Sequence, residues 1–174
     1  MTYQQKFAQT ETRWVSGLYD AQRGNIEETF RDKIKRSSIK EAFETGHGIC
    51  RVSTSHFGER VLDAASLPIP LWARGSDHWW DHEPSLIFGL ALWCRGPCAM
   101  REWLRGDVLP KQVAMLAKTY PASSVVLIGK WDHVDLKVLE NHGFLSAEPV
   151  DELYRSWHDK MDQFASSEIW CMKK

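Results

Sequence analysis

Residues 125–144, VVLIGKWDHVDLKVLENHGF, constrain the fold of this chain more than any other stretch. Val125, Val126, Leu127 and Ile128 form a short, uncharged, mostly β-branched run closed by Gly129, which is the pattern of a strand covered on both faces. Asp132 is a good N-cap residue. From that cap, Val134, Val138 and Leu139 fall on one face of a helix, and Gly143 stands where a left-handed C′ residue would end it. The block therefore predicts a buried strand, a turn and a capped helix of about two and a half turns.

The remaining chain is read around this unit. Its 174 residues are one domain's worth, long enough for a substantial core. With 22 basic and 23 acidic residues, no global field draws it to nucleic acid or to an anionic membrane, and nucleic acid is not expected as a partner. Nine tryptophans are expected mostly in the core, with some left for contacts. Cys50, Cys94, Cys98 and Cys171 come without a signal-peptide pattern and read as reduced thiols. The longest uncharged apolar run, 84–94, falls short of the roughly 20 residues needed to cross a bilayer. A soluble, cytoplasmic protein is the expectation.

Residues 3–19 permit an amphipathic helix through Phe7, Trp14, Val15 and Leu18. Asn25 and Glu28 resemble a capping box before Ile26, Phe30 and Ile34, which predicts one broken helix or two short ones up to Phe43. Strands are expected near 49–54 and 60–63, joined by a hairpin with Gly58 at the turn. Pro68 and Pro70 impose extended chain and open a long loop to Pro84. Ser85–Trp93 is a second apolar strand. After the Gly96-Pro97 break come a helix through Met100, Trp103 and Leu104, and another entered at Pro110 with Val113, Leu116 and Ala117 on its apolar face. Val150, Leu153, Tyr154, Trp157, Met161 and Phe164 mark an amphipathic helix, and 168–172 a final edge strand. This order predicts an α+β or α/β domain with a mixed sheet.

The 125–144 block resembles the last conserved block of the GNAT superfamily of N-acyltransferases, a strand followed by Asn-x-x-Ala-x-x-Leu-Tyr-x-x-x-Gly-Phe. In register, Asp132 stands for Asn, Asp135 for Ala, Val138 for Leu, Leu139 for Tyr, and Gly143-Phe144 for Gly-Phe. The spacing is kept and the chemistry is not: in many members the Tyr protonates the leaving thiolate of coenzyme A, and Leu139 has no proton to give. The order of elements over 85–174, ending in Trp170-x-Met172, is also similar to the back half of a GNAT domain. The resemblance implies a mainly antiparallel central sheet flanked by helices over 46–174, with 1–45 as a helical N-terminal extension packed on it. Small phage-encoded proteins, some virion-associated, share the Leu in place of the Tyr, and the chain looks like that class.

A GNAT domain holds the coenzyme A pyrophosphate with backbone amides between a central strand and the next helix, in Arg/Gln-x-x-Gly-x-Gly/Ala. Small residues let those amides approach phosphate at a positive helix terminus. Here the stretch is Trp93-Cys94-Arg95-Gly96-Pro97-Cys98-Ala99, which keeps Gly96 alone of the three motif positions and loses one amide donor at Pro97. The resemblance implies Arg95, Gly96, Cys98, Ala99 and Asp132 as cofactor-binding residues, acetyl-CoA or another acyl-CoA as cofactor, and a small-molecule or protein amine as acceptor. Glu83, beside Asp81 and His82, is the candidate base that removes a proton from the amine.

Other readings stay open beside this one. The 93–99 stretch also suits an ordinary strand-to-helix turn. His78, His82, Cys94 and Cys98 have spacings that could close a zinc site if the chain between the pairs bent back, although no metal is expected. Catalytic inactivity is the main rival to acyl transfer: a binding protein, with virion components among its partners, that uses Trp72, Trp79, Trp80 and the N-terminal helices for contacts. No nucleophile elbow, P-loop or dinucleotide fingerprint occurs.

Overall fold

The structure, a computed structural model, describes residues 11–16, 22–54, 56–71, 87–121, 123–148, 151–161 and 169–173. Seven strands in these segments form one sheet: β1 (Glu11–Val15), β2 (Ile49–Thr54), β3 (Arg60–Leu71), β4 (Ile87–Cys94), β5 (Ser124–Gly129), β6 (Phe144–Ser146) and β7 (Ile169–Lys173). Their spatial order is β1-β2-β3-β4-β5-β7-β6. β4 and β5 run parallel, and every other neighbouring pair is antiparallel. Helices α1 (Arg23–Phe30), α2 (Arg36–Thr45), α3 (Pro97–Arg105), α4 (Val108–Thr119), α5 (His133–Asn141) and α6 (Asp151–Lys160) cover the two faces.

β5 shows why both faces must be covered. Val126 and Ile128 pack with Phe30, Ile39, Leu153 and Trp157 in one core, whereas Val125 and Leu127 pack with Trp103, Leu109, Leu116 and Leu139 in the other. Alternate side chains of one strand thus feed two cores, as a period of two requires. α1, α2 and α6 seal the first, and α3, α4 and α5 the second. Gly89 on β4 is fitted to the first face: a Cβ there would lie 2.6 Å from Trp157 Cζ3, so α6 comes closer than any side chain would allow.

Several expected elements change. The helix over 3–19 is replaced, where described, by β1, whose Trp14 and Val15 enter opposite cores. That is strand alternation, and pairing with β2 from Glu11↔Thr54 to Val15↔Cys50 overrides the helical spacing. The capping box at Asn25 does not form: α1 starts at Arg23 without a side-chain cap, and Asn25 Nδ2 donates to Gln22 Oε1 at 2.6 Å. Two short helices do follow one another here.

β3 runs on to Leu71 through both prolines. β2 pairs with β3 only as far as Ser66, while β4 pairs with it to Leu71, so Pro68 and Pro70 sit beyond the last β2 pair, where a missing N–H breaks no ladder bond among the described residues. Carbonyls on that flank find side chains instead: Gln112 Nε2 donates to Ser66 O at 3.1 Å and Lys160 Nζ to Pro70 O at 2.5 Å. Ala117 and Val134 turn outward, unlike the faces assigned to them. β7 is an inner strand, with β6 at the edge. The hairpin with Gly58 at φ 82° and the left-handed Gly143 at φ 89° match expectation.

Candidate active site: the cleft between β4 and β5

The two parallel strands pair from Ile87↔Ser124 to Leu90↔Leu127 and no further, although β4 continues to Cys94 and β5 to Gly129. Beyond Leu90 they diverge, and a cavity of about 340 Å³ opens between them. One wall is Leu90, Leu92, Cys94, Gly96, Pro97, Met100 and Trp103, from β4 and α3. The other is Ile128, Gly129, Lys130 and Trp131, from the end of β5 and the turn after it. The lining joins apolar side chains to nearly as much polar surface, with Lys130 exposed and Arg95 exposed on the turn beside the cavity.

The turn from β4 into α3 leaves donors free. Gly96 is the N-cap in extended conformation, no side chain caps the helix, and Pro97 occupies the first turn. First-turn amides have no intrahelical acceptor, and among the described residues none is recorded for the N–H groups of Cys98 and Ala99, at the positive end of the helix dipole. A Cβ on Gly96 would meet nothing within 4 Å.

A polar network fixes the turn from behind. Arg95 N donates to Asp63 O at 2.7 Å. The Asp63 carboxylate accepts from Ser53 Oγ and pairs with Arg51 at 3.4 Å, and Arg51 Nε reaches Glu102 on α3 at 2.8 Å. Cys94 lies beside this network. Burial pushes its thiol up to about 11, with Arg51 and Lys33 pulling the other way, so the sulfur is protonated at neutral pH.

The turn from β5 into α5 carries a side-chain cap instead. Asp132 Oδ1 accepts from Asp135 N at 2.8 Å, and Asp132 O from Leu136 N at 2.9 Å. α5 is tied to α3 by Arg105–Asp135 at 3.7 Å and by His142 Nε2–H donating to Leu104 O at 2.8 Å. Leu139 is fully buried in the second core.

The residues singled out in the sequence fare unequally. Gly96 lines the cavity. Cys98 is exposed and Ala99 buried in the first turn of α3 at its mouth, and the Arg95 amide is engaged with Asp63. Asp132 spends one carboxylate oxygen on its own helix. Glu83, His78, His82, Trp72, Trp79 and Trp80 lie outside the described residues. Among the described residues, no cluster of three His, Cys, Asp or Glu could hold a metal ion, and all four cysteines are free. No helix among them is long and apolar enough to cross a membrane. The Trp131 wall was not anticipated. Its signal was its position, at the exit of the most buried strand and directly before a helix cap.

No protein-family model matches the sequence, and no curated protein sequence does. Solved structures do. Arabidopsis thaliana Naa50 in complex with the bisubstrate analogue CoA-Ac-MVNAL aligns over 95% of this chain and 97% of its own, with a TM-score of 0.54 and 10% identity. The NatC complex bound to Gag peptide and CoA aligns over 94% and 97%, with a TM-score of 0.55 and 10% identity. Arabidopsis thaliana NAA60 in complex with acetyl-CoA aligns over 94% and 97%, with a TM-score of 0.53 and 10% identity. These relatives are GNAT acetyltransferases, and this chain has the GNAT fold.

Proposed function

We propose that this protein is an N-acyltransferase that moves an acetyl or other acyl group from acyl-coenzyme A to a primary amine of a small molecule or protein. The observation that carries this reading is the divergence of β4 and β5 after Leu90 and Leu127, with a cavity in the gap and an uncapped helix N-terminus at its mouth. An acyl-coenzyme A suits these surroundings. Its pantetheine arm fits the gap, and its pyrophosphate fits the Cys98 and Ala99 amides, with Arg95 and Arg101 supplying charge. Pro97 makes this a weaker cradle than one with every amide in place.

In the reaction the amine nitrogen attacks the thioester carbonyl, a C–N bond forms and the C–S bond breaks. The amine must shed a proton, for which Glu83 is the proposed base. The thiolate takes its proton from solvent, because Leu139 is buried and has none to offer.

Leu139 also favours a second reading, in which the cleft persists without transfer and the protein works through contacts with other proteins, virion components among them. Calorimetric titration with acetyl-coenzyme A, followed by a thiol-release assay over a panel of primary amines, separates the two. Binding with amine-dependent thiol release is expected. Binding without release for any amine would transfer support to the second reading, and no heat and no rise in Tm at millimolar ligand would remove the enzyme reading, since a bound ligand must stabilise the native state.

A further inference from the structure

Residues 31–40 carry five cations, Arg31, Lys33, Lys35, Arg36 and Lys40, against the single carboxylate of Asp32, in a chain whose formal charge is −1. All five are exposed. They stand on the α1–α2 turn and the first turns of α2, which starts at Arg36 after Lys35, with no side-chain cap and no acidic residue in its first turn. Cations are stabilising at the other end of a helix, so Lys35 and Arg36 meet a like partial charge and cost stability where they are. Neighbouring acids do little to offset them. Glu41 is taken by Lys160 Nζ at 2.6 Å, Glu27 by Arg23 at 3.2 Å, and Glu28 lies 3.8 Å from Arg31. Among the described residues, Lys33, Lys35, Arg36 and Lys40 form no ion pair. The turn itself is held firmly: Lys35 N and Ser38 Oγ both donate to Lys160 O, at 3.1 and 3.0 Å, and Ile34 bridges to Met161. Beside it lies a cavity of about 440 Å³ that shares no lining residue with the cleft. Glu27, Glu28, Arg31 and Arg36 surround it over the buried Ile34 and Ile39.

We propose that this face of α1 and α2 docks an acidic segment of a partner protein, with its carboxylates toward Lys33, Lys35 and Arg36. The proposal does not depend on the acyl-coenzyme A reading above. Charge fixes the sign of the partner, because carboxylates set against these cations would turn an electrostatic cost at the helix start into a gain. The cavity fixes its class. Glu27 and Glu28 on the rim repel the unbroken charge of a nucleic acid backbone, whereas a peptide spaces its carboxylates with neutral amides whose N–H groups can pair with those two residues. A turn already fastened to Lys160 also loses little freedom when a partner binds.

The test is fluorescence anisotropy with a labelled Glu-rich peptide of about ten residues, blocked at both ends so that no amine transfer enters, beside its Gln counterpart and a single-stranded oligonucleotide of equal charge. The Glu peptide should bind the wild-type chain, and more weakly as salt rises from about 50 to about 300 mM, because exposed charges are screened. The Gln peptide should not bind. Lys33→Gln/Lys35→Gln/Arg36→Gln should bind the Glu peptide about tenfold more weakly, as the loss of several exposed charge pairs implies. Its Tm should hold or rise, because cations leave the positive end of α2. Lys111→Gln/Lys118→Gln/Lys137→Gln removes the same charge from α4 and α5 and should bind as wild type does. Equal affinity for the Glu and Gln peptides, no binding of the Glu peptide by the wild-type chain, or equal losses in the two variants would overturn the proposal. An oligonucleotide held more tightly than the Glu peptide would overturn the class of partner. Should the first variant fail to fold, amide ¹⁵N–H shifts of the wild-type chain on titration with the Glu peptide provide the second measurement. They should move along α1, the turn and the start of α2, and movement confined to other elements counts against the site.

Discussion

The two strand-to-helix turns that flank the cleft are built on opposite principles. Between β4 and α3, Gly96 offers no side chain and the first-turn amides stay free; between β5 and α5, the Asp132 carboxylate takes the Asp135 amide for itself. Both helix termini carry the same partial positive charge. The first keeps more of its amides available to a ligand. The comparison teaches that an anion site at a helix start depends on what has been left out of the N-cap as much as on what is present.

The largest effect expected of any change to this pair is on the closed side. Leu139→Ala should lower stability by about 2–5 kcal/mol, because it empties a fully buried site beneath α5. Chemical denaturation with an unchanged m-value would measure it, and a loss under 1 kcal/mol, below the usual range for such a cavity, would mean that α5 is not anchored through this core.

Turning the open turn into a copy of the closed one comes next. Gly96→Asp should cap α3, raise Tm, and weaken coenzyme A binding about tenfold or more, since a carboxylate would hold the amides a phosphate needs. Raised Tm with undiminished affinity would place the pyrophosphate elsewhere. The reverse change, Asp132→Ala, should remove a cap and about 1 kcal/mol of stability. Its coenzyme A affinity should match wild type, and a clear loss would give Asp132 the cofactor role that the GNAT resemblance implies. The smallest effect is expected from Pro97→Ala, which restores one amide to the open turn and should tighten coenzyme A binding about threefold; an unchanged Kd would mean that the first-turn amide points away from the phosphates.

Much of the architecture was legible because it is local. The β5 run, the Asp132 cap and the Gly143 stop are written in adjacent residues whose interactions close within one turn. β1 was misread for the complementary reason. Residues 11–15 become a strand only because β2 lies alongside, and periodicity in so short a polar stretch cannot carry that information. β3 runs past the expected 60–63 and through Pro68, because whether a proline is tolerated depends on where β2 stops. Of the site, Gly96 and the α3 turn could be named from small residues after a strand, whereas Trp131 could not, since its meaning comes from Gly129 beneath its ring and from the gap across to β4.

The sequence by itself therefore determined the buried β5 strand, the capped helix after it, the glycine turns and the substitution of Leu for a proton donor at 139, all consequences of side-chain chemistry and short-range sterics. Tertiary structure alone decided that β4 and β5 part company after four paired residues. Pairing register is a property of two strands separated by α3 and α4, and neither strand encodes where the other will leave it. The cleft exists only once that parting has occurred.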